Sequence, residues 1–411
     1  LEYAVRAANE RREPVVAFFV LTDSYPEANL RSYACMLEGL QQTQIVLRDR
    51  GIELAVWHGS SEETAVQVGN EASVLVTDCG YTRIQKQWRS EVARRVRCQM
   101  VQVESDVVVP VAAVSPKEEY AARTIRPKLH RLLSSYLVPL KEVLPQRDSL
   151  GLVSGGLELQ NLERVLGGLK VSRAVPPTTR FRGGATSARR LLTDFITNKL
   201  DHYDELRNDP NLEYISHMSP YLHFGQIAPL QIAVEIAAAA KSGGQAYLEE
   251  LIVRRELSVN FVHYNPWYDS FECLPDWAKL TLSEHQRDRR EYLYTAEELE
   301  GAQTHDHYWN AAQTEMVTTG KMHNYMRMYW GKKILEGSPT AQQAYSVALH
   351  LNNKYELDGR DPNSFAGVAW CFGKHDRPWK QRPIFGTVRY MNAAGLERKF
   401  KMNAYLQRYG A

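Results

Sequence analysis

Between Val15 and Pro110 the chain alternates short Val-rich runs with amphipathic stretches, and from Ala185 onward the Val-rich runs cease. The runs VVAFFVL (15–21), LAVWHG (54–59), SVLVTD (73–78) and MVQVESDVVVP (100–110) are β-branched and bounded by turn residues, which predicts strands. Between them, NLRSYACMLEGLQQTQIVLRDRG with its Gly51 stop, and IQKQWRSEVARRVR, have helical spacing. Strands that run parallel need a crossover, usually helical, so the alternation predicts a Rossmann-like parallel sheet covered by helices. No G-x-G-x-x-G or Walker sequence follows any strand, so the usual phosphate-binding loops are absent.

The period then weakens. Pro116, Pro127, Pro139, Pro145, Gly155-Gly156, Gly167-Gly168 and Pro176-Pro177 punctuate residues 115–184, as a long crossover connection would. Beyond it, ATSARRLLTDFITNKLDHYDELRNDP, PLQIAVEIAAAAKSGG, QAYLEELIVRRELSVNF, TGKMHNYMRMYWGKKILEG and PTAQQAYSVALHLNNKYELDG all suit helices. The expected organisation is an α/β domain over 1–114, a connection over 115–184 and a large all-α domain over 185–411. A chain of 411 residues also exceeds what one core usually serves. It opens at Leu1 inside an apparent helix, so a preceding N-terminal piece is expected.

Composition removes several classes. Hydrophobic residues at 44% and charged residues at 24% suit a globular protein, not a disordered one. The least polar stretch, Ile232 to Ala240, falls far short of the roughly 20 residues a membrane span needs. The five cysteines are scattered without a C-x-x-C pair, which argues against a disulfide framework or zinc site and for a reducing compartment. The histidines make no metal spacing, His305 and His307 in THDHYW included.

Four segments carry candidate chemistry. Helix 321–336 is apolar on two faces, so Arg327 needs a buried partner; Asp358 or Asp361 in DGRDPNS is the natural one. An ordinary structural ion pair is the plainer reading. Glu250 and Arg254 share a helix face at i, i+4, which alone describes a solvated pair. In ISHMSPYLHFGQI, Ser219 before Pro220 reads as an N-cap, and a helix start with free N–H groups and serine hydroxyls also suits a diphosphate. The run GVAWCFGKHDRPWKQRPIFGTVRYMNAAGLERKFK interleaves Arg377, Trp379, Lys380, Arg382 and Arg389 with aromatics, fitting either a solvated loop or a surface for phosphates and exposed bases.

Taken jointly, EANLRSYACMLEGLQ, ISHMSPYLHFGQI, LEELIVRREL, THDHYWNAAQ, GKMHNYMRMYW, YELDGRDPNSFAGVAWCFGKHDRPW and FGTVRYMNAAGLERKF resemble the photolyase/cryptochrome superfamily. In detail they look like the class II cyclobutane pyrimidine dimer photolyases, over nearly the whole chain. The resemblance implies an α/β domain whose opening strand is missing here, with an antenna chromophore of deazaflavin or folate type as an option. It also implies a helical domain enclosing FAD, reduced in the active state. By the family pattern Tyr203, Ile215, Ser216, Met218 and Ser219 hold the FAD phosphates and ribityl chain. Asn324, Arg327, Asp358 and Asp361 complete the cofactor site, and Asn352 faces flavin N5. Glu250 is the implied contact to the damaged bases, with Met328 and Trp370 lining their pocket. Arg207 and Asn208 lie beside it, and Arg377, Trp379 and Arg389 enter the gap left by the flipped dimer.

The implied reaction is light-driven electron transfer from reduced FAD to the dimer, with ring opening and electron return. Trp330 and Trp309 match the first two tryptophans of the family's electron relay, whereas Gly337 stands where the third is expected. Tyr329 or Tyr345 is the expected substitute, with reduction by external donors as the alternative. UV-damaged DNA is the implied partner of a monomer that works away from membranes, in the cytoplasm or nucleus. A cryptochrome-like photoreceptor and a catalytically idle DNA-binding flavoprotein remain as alternatives.

Overall fold

The computed structural model describes residues 1–410. Helix α1 (Glu2–Arg11) leads into β1 (Val16–Leu21), α2 (Leu30–Asp49), β2 (Glu53–His58), α3 (Ser61–Gly69), β3 (Val74–Asp78), α4 (Arg83–Arg95) and β4 (Gln99–Val103). β1 lies parallel to β2, Val16 opposite Glu53, and β3 lies parallel to β4, Val74 opposite Gln99. The two pairs form separate two-stranded ladders. Phe18 of β1 packs against the Val66–Leu75–Val92 cluster, so side chains join the pairs where no ladder does. The last strand stops at Val103, well short of Pro110. Val108 and Val109 instead donate their N–H groups to the buried Glu256 carboxylate, which draws the chain off the sheet.

The connection is structured. It contains α5 (Val111–Val114), α6 (Ala122–Tyr136) and α7 (Leu162–Gly168). α6 runs through Pro127, the residue that made it read as a break. Ala122, Ile125 and Leu129 pack into the helical domain, while Leu159, Val165 and Leu169 pack onto the α/β core.

The remainder is helical. It comprises α8 (Ala185–Asn198), α9 (Tyr203–Leu206), α10 (Ser219–His223), α11 (Pro229–Ala239) and α12 (Gly244–Leu248). A π-helical turn (Glu249–Arg254) then runs into α13 (Arg255–Tyr264). There follow α14 (Asp276–Glu284), α15 (Ala296–Glu300), α16 (His307–Thr319), α17 (Asn324–Gly337), α18 (Ala341–Tyr355), α19 (Pro362–Cys371), α20 (Ala393–Lys399) and α21 (Asn403–Tyr409). α17 is the central element, with Met326, Tyr329, Trp330, Ile334 and Leu335 all buried. Gly331 lets it approach α19 closely, since a Cβ there would sit 2.6 Å from Cys371 Sγ. Among the described residues no helix is long and apolar enough to cross a membrane.

Side chains at the start of α2 fasten the two domains together. Asn29 Nδ2 donates to Lys354 O at 2.7 Å, Arg31 donates to four carbonyls, and Ser32 accepts from Arg360 at 2.9 Å. The phrase EANLRSYACMLEGLQ is therefore an interdomain clamp on the turn that follows α18.

Candidate cofactor and DNA site

Arg327 sits one turn into α17, its side chain 14% exposed, facing two carboxylates from the turn after α18. Its Nη2 lies 3.1 Å from Asp358 Oδ1 and 2.9 Å from Glu356 Oε2. The second contact is close but lacks hydrogen-bond alignment, and Glu356 Oε2 is otherwise unpartnered. One guanidinium neutralises one carboxylate, and the two acids divide accordingly. Burial opposes ionisation of Asp358, but Arg327, Lys321 and the Ser219 hydroxyl hold its carboxyl well below the usual range. Burial pushes Glu356 up to about 8, the charge on Asp358 adding to the effect and Arg327 opposing it. Glu356 thus carries a proton near neutral pH while its Oε1 accepts the Met322 N–H at 3.1 Å. Of the two aspartates considered for Arg327, Asp358 is the partner. Asp361 instead lies 3.4 Å from His223 and caps α19.

Ring contacts and hydrogen bonds link several of the residues expected to hold a cofactor. Tyr203 packs edge-on against Tyr247, whose hydroxyl donates to Ser216 Oγ at 3.0 Å. Lys321 Nζ reaches Ser219 Oγ at 3.0 Å, which ties the 215–219 segment to the start of α17. Ile215 is half-buried, Met218 is buried, and Asn324 is exposed on the first turn of α17. Asn352 is buried and donates to Ser364 Oγ at 2.6 Å, but its Oδ1 receives nothing. Arg327 Nε also lacks a partner. Each is a buried polar atom left unpaired, which a bound polar group can account for. Two residues in these segments hold left-handed backbone, His217 at φ 57 and Arg360 at φ 71, a conformation non-glycine residues adopt at some cost.

Two expectations for this region need correction. Ser219 is not the N-cap: it opens α10, a five-residue helix with Met218 as its cap and Pro220 at its second position. The Ser219 hydroxyl works sideways, on Lys321 and Asp358, rather than through a helix terminus. Nor do Glu250 and Arg254 pair. The π-helical turn changes the side-chain spacing, so Glu250 Oε1 meets Arg207 Nη1 at 2.8 Å and Arg254 lies 3.4 Å from Glu249. Arg207 also lies 5.3 Å over the Tyr203 ring, joining Glu250 to Tyr203, with exposed Asn208 beside it.

On the other side of α17, Met328, Trp370 and Arg389 border a small cleft over buried Lys332. Arg389 donates to Asp376 at 2.9 Å and its guanidinium stacks 4.3 Å over Trp379, while Arg377 stacks on the same ring at 4.9 Å. Trp379 remains 39% exposed, so the cleft has a basic, aromatic rim.

Trp309 and Trp330 are buried in parallel, planes 4° apart and centroids 6.4 Å apart. Trp309 Nε1 donates to Trp330 O at 3.0 Å, and Trp330 Nε1 to Gln313 at 2.9 Å. Neither expected substitute lies against Gly337: Tyr329 is bonded to Asp306, and Tyr345 packs on Phe372. The ring there is Tyr294, 2.8 Å from where a Gly337 Cβ would be. Its hydroxyl bonds His305, which stacks on Tyr292 at 3.7 Å.

With this geometry in hand, comparison with known proteins is informative. Residues 2–146 match the sequence model of the family described as DNA photolyase. The chain is 50% identical over 408 residues to the deoxyribodipyrimidine photo-lyase of Methanothermobacter thermautotrophicus, covering 99% of this chain and 90% of that protein. The chain belongs to the DNA photolyase family. It is also 39% identical to the Arabidopsis thaliana deoxyribodipyrimidine photo-lyase, over 99% of this chain and 84% of the relative. A Synechocystis cryptochrome matches in structure with a TM-score of 0.77 at 14% identity, covering 99% of this chain and 85% of its own. A class III photolyase from Agrobacterium tumefaciens matches at 0.74 and 17%, over 99% and 83%. At such identities these two establish the fold alone, an α/β region followed by a helical domain.

In this photolyase-family chain the sequence reading passed over Glu356, Lys321 and Lys332. Glu356 was within reach, because YELDGRDPNS places three acids opposite one helical arginine. Lys332 gives no such signal. It is buried, donates to Cys371 O, and burial pushes its pKa down to about 8.

Proposed function

We propose that this photolyase-family chain repairs cyclobutane pyrimidine dimers in DNA with light, using reduced FAD held in its helical domain. The observation that carries the reading is the buried Arg327–Asp358–Glu356 cluster, tied through Lys321 and Ser219 to the 215–219 segment. When bound, FAD supplies the light-driven electron that opens the cyclobutane ring. The chain's residues do the rest. Tyr203, Ile215, Ser216, Met218 and Ser219 hold the phosphates and ribityl chain, and Asn324, Arg327, Asn352, Asp358 and Asp361 surround the ring. Arg327, fixed by Asp358, keeps a positive charge beside it, where a charge held in place without reorganisation is most effective.

Glu250 contacts the damaged bases and Arg207 holds it in position until they arrive. Met328 and Trp370 line the lesion pocket. Flipping a lesion out of the stack costs a few kcal/mol, and less for damaged bases. Arg377, Trp379 and Arg389 occupy the gap it leaves, with Asn208 on the neighbouring backbone. Trp330 and Trp309 relay electrons inward during recharging, and Tyr294 follows them in place of a third tryptophan. An antenna of deazaflavin or folate type belongs to the α/β domain in this reading.

The test is direct. Purified protein is examined by absorption spectroscopy, then reduced and illuminated with an oligonucleotide containing a thymine dimer while restored thymines are counted against a dark control. A colourless protein after reconstitution with FAD would sink the proposal. Bound flavin without repair would instead favour a cryptochrome-like photoreceptor.

A further inference from the structure

Helix α6 belongs to the connection, yet its first turns are fastened to both halves of the proposed lesion site. At its entry the chain is tied to the loop that carries Arg377. Glu118 pairs with Lys374 at 2.5 Å, His375 Nδ1 lies 2.9 Å from Tyr120 O, and the Tyr120 hydroxyl donates to Asp376 O at 3.3 Å. A ring nitrogen facing a carbonyl carries the proton, so His375 is the donor. His375 also holds left-handed backbone at φ 58, where the chain turns from buried Lys374 toward exposed Arg377. The Asp376 side chain takes Arg389 at 2.9 Å and the Trp379 indole at 3.3 Å. Tyr120 is therefore one residue removed from the aromatic, basic rim.

Further into α6 the second attachment follows. Arg126 donates to both oxygens of Glu249, at 3.1 and 2.7 Å, and Glu249 precedes Glu250 in the π-helical turn. Arg123 lies between the two attachments, and its i, i+3 relation to Arg126 puts it on the face that meets this turn. It is exposed and pairs with no carboxylate among the described residues, whereas Arg126 and Lys128 on the same helix both do. Its guanidinium stands 6.0 Å from the Tyr120 ring, at the outer limit of a cation–π contact, and that ring is 46% exposed. Arg377 and Trp379 make the same kind of exposed pair on the neighbouring loop.

We propose that Arg123 binds a phosphate of the DNA strand beside the flipped lesion, with the Tyr120 ring as its platform, closing the rim between Glu250 and Trp379. This rests on the DNA repair reading above. A guanidinium that no carboxylate occupies suits a pair of phosphate oxygens, which it meets with two parallel N–H donors. Such a contact fixes register and orientation on the nucleic acid and carries no sequence information.

Fluorescence anisotropy tests this with undamaged and dimer-containing duplexes over a range of salt. Arg123→Ala should weaken both duplexes alike by about ten-fold, the low end for a hydrogen bond to a charged group. Its plot of log affinity against log salt should lose about 0.9 of its slope, the signature of one phosphate. Arg123→Lys keeps the charge and should keep the slope. Arg131→Ala removes another exposed charge about two turns along α6 and should change neither quantity. An unaltered slope in Arg123→Ala overturns the inference. So does an equal loss in Arg131→Ala, which would mean a diffuse field in place of a contact. If the wild-type protein binds neither duplex, the DNA reading itself falls.

Discussion

Arg31 offers the sharpest test of how the α/β domain supports the site. It is 3% exposed, and donates from Nε to Pro176 O at 2.9 Å, from Nη1 to Tyr355 O at 2.9 Å and Met316 O at 3.3 Å, and from Nη2 to Val317 O at 2.6 Å. Three of these carbonyls, those of Met316, Val317 and Tyr355, end α16 and α18, the helices that carry Trp309 and Asn352, and the fourth belongs to the connection between the domains. Met316 O retains the Gly320 N–H at 3.0 Å, so Arg31→Ala strands the carbonyls of Pro176, Val317 and Tyr355. Each stranded buried acceptor costs about 1–3 kcal/mol, and relieving the buried guanidinium of its desolvation offsets part of the total. A net loss of about 3–5 kcal/mol follows. Unfolding entropy of about 2.1 cal/mol/K per residue comes to roughly 0.9 kcal/mol/K for this chain, so Tm should fall by roughly 4–6 °C. Arg31→Lys, with one point donor instead of a fork, should recover less than half of the loss. Differential scanning calorimetry reads both variants. A Tm drop below about 1 °C for the alanine variant, or full rescue by lysine, would refute the clamp.

Glu356 makes stability depend on pH in a known direction. Its folded pKa is raised to about 8, so its stabilising contribution is complete below the unfolded carboxyl value and is lost as pH rises through about 8. Glu356→Gln mimics the protonated form, and its Tm should pull ahead of wild type as pH rises from about 4.5 to about 8; a gap that stays constant across that range would disprove the assignment. Glu250→Ala should lower the quantum yield of dimer splitting by about ten-fold while FAD content holds, and an unchanged yield would remove Glu250 from the reaction. Arg389→Ala should weaken binding to dimer-containing DNA more than to undamaged DNA, as measured by fluorescence anisotropy, and equal weakening of both would take it out of the gap. Tyr294→Phe should slow photoreduction of oxidised enzyme while repair by pre-reduced enzyme persists, and equal photoreduction rates would exclude the tyrosine from the relay.

The sequence by itself determined the class of fold, because the period of the hydrophobic pattern is a local property: the Val-rich runs became strands and the later segments became helices. It also determined that Arg327 needed a buried acid, since the cost of an unpaired charge does not depend on topology. Tertiary structure decided the rest. The Pro127 break became helix α6, because packing of Ile125 and Leu129 outweighs one missing backbone bond. The i, i+4 rule misassigned Glu250 because a π-helical turn, invisible in residue spacing, rotated it toward Arg207. Tyr294 was missed because its contact with Gly337 spans residues far apart in sequence and depends only on how two segments pack. Glu356 and Asp358 have the same chemistry and nearly the same place in the chain. Only burial and the geometry around one guanidinium decide which of them keeps its proton.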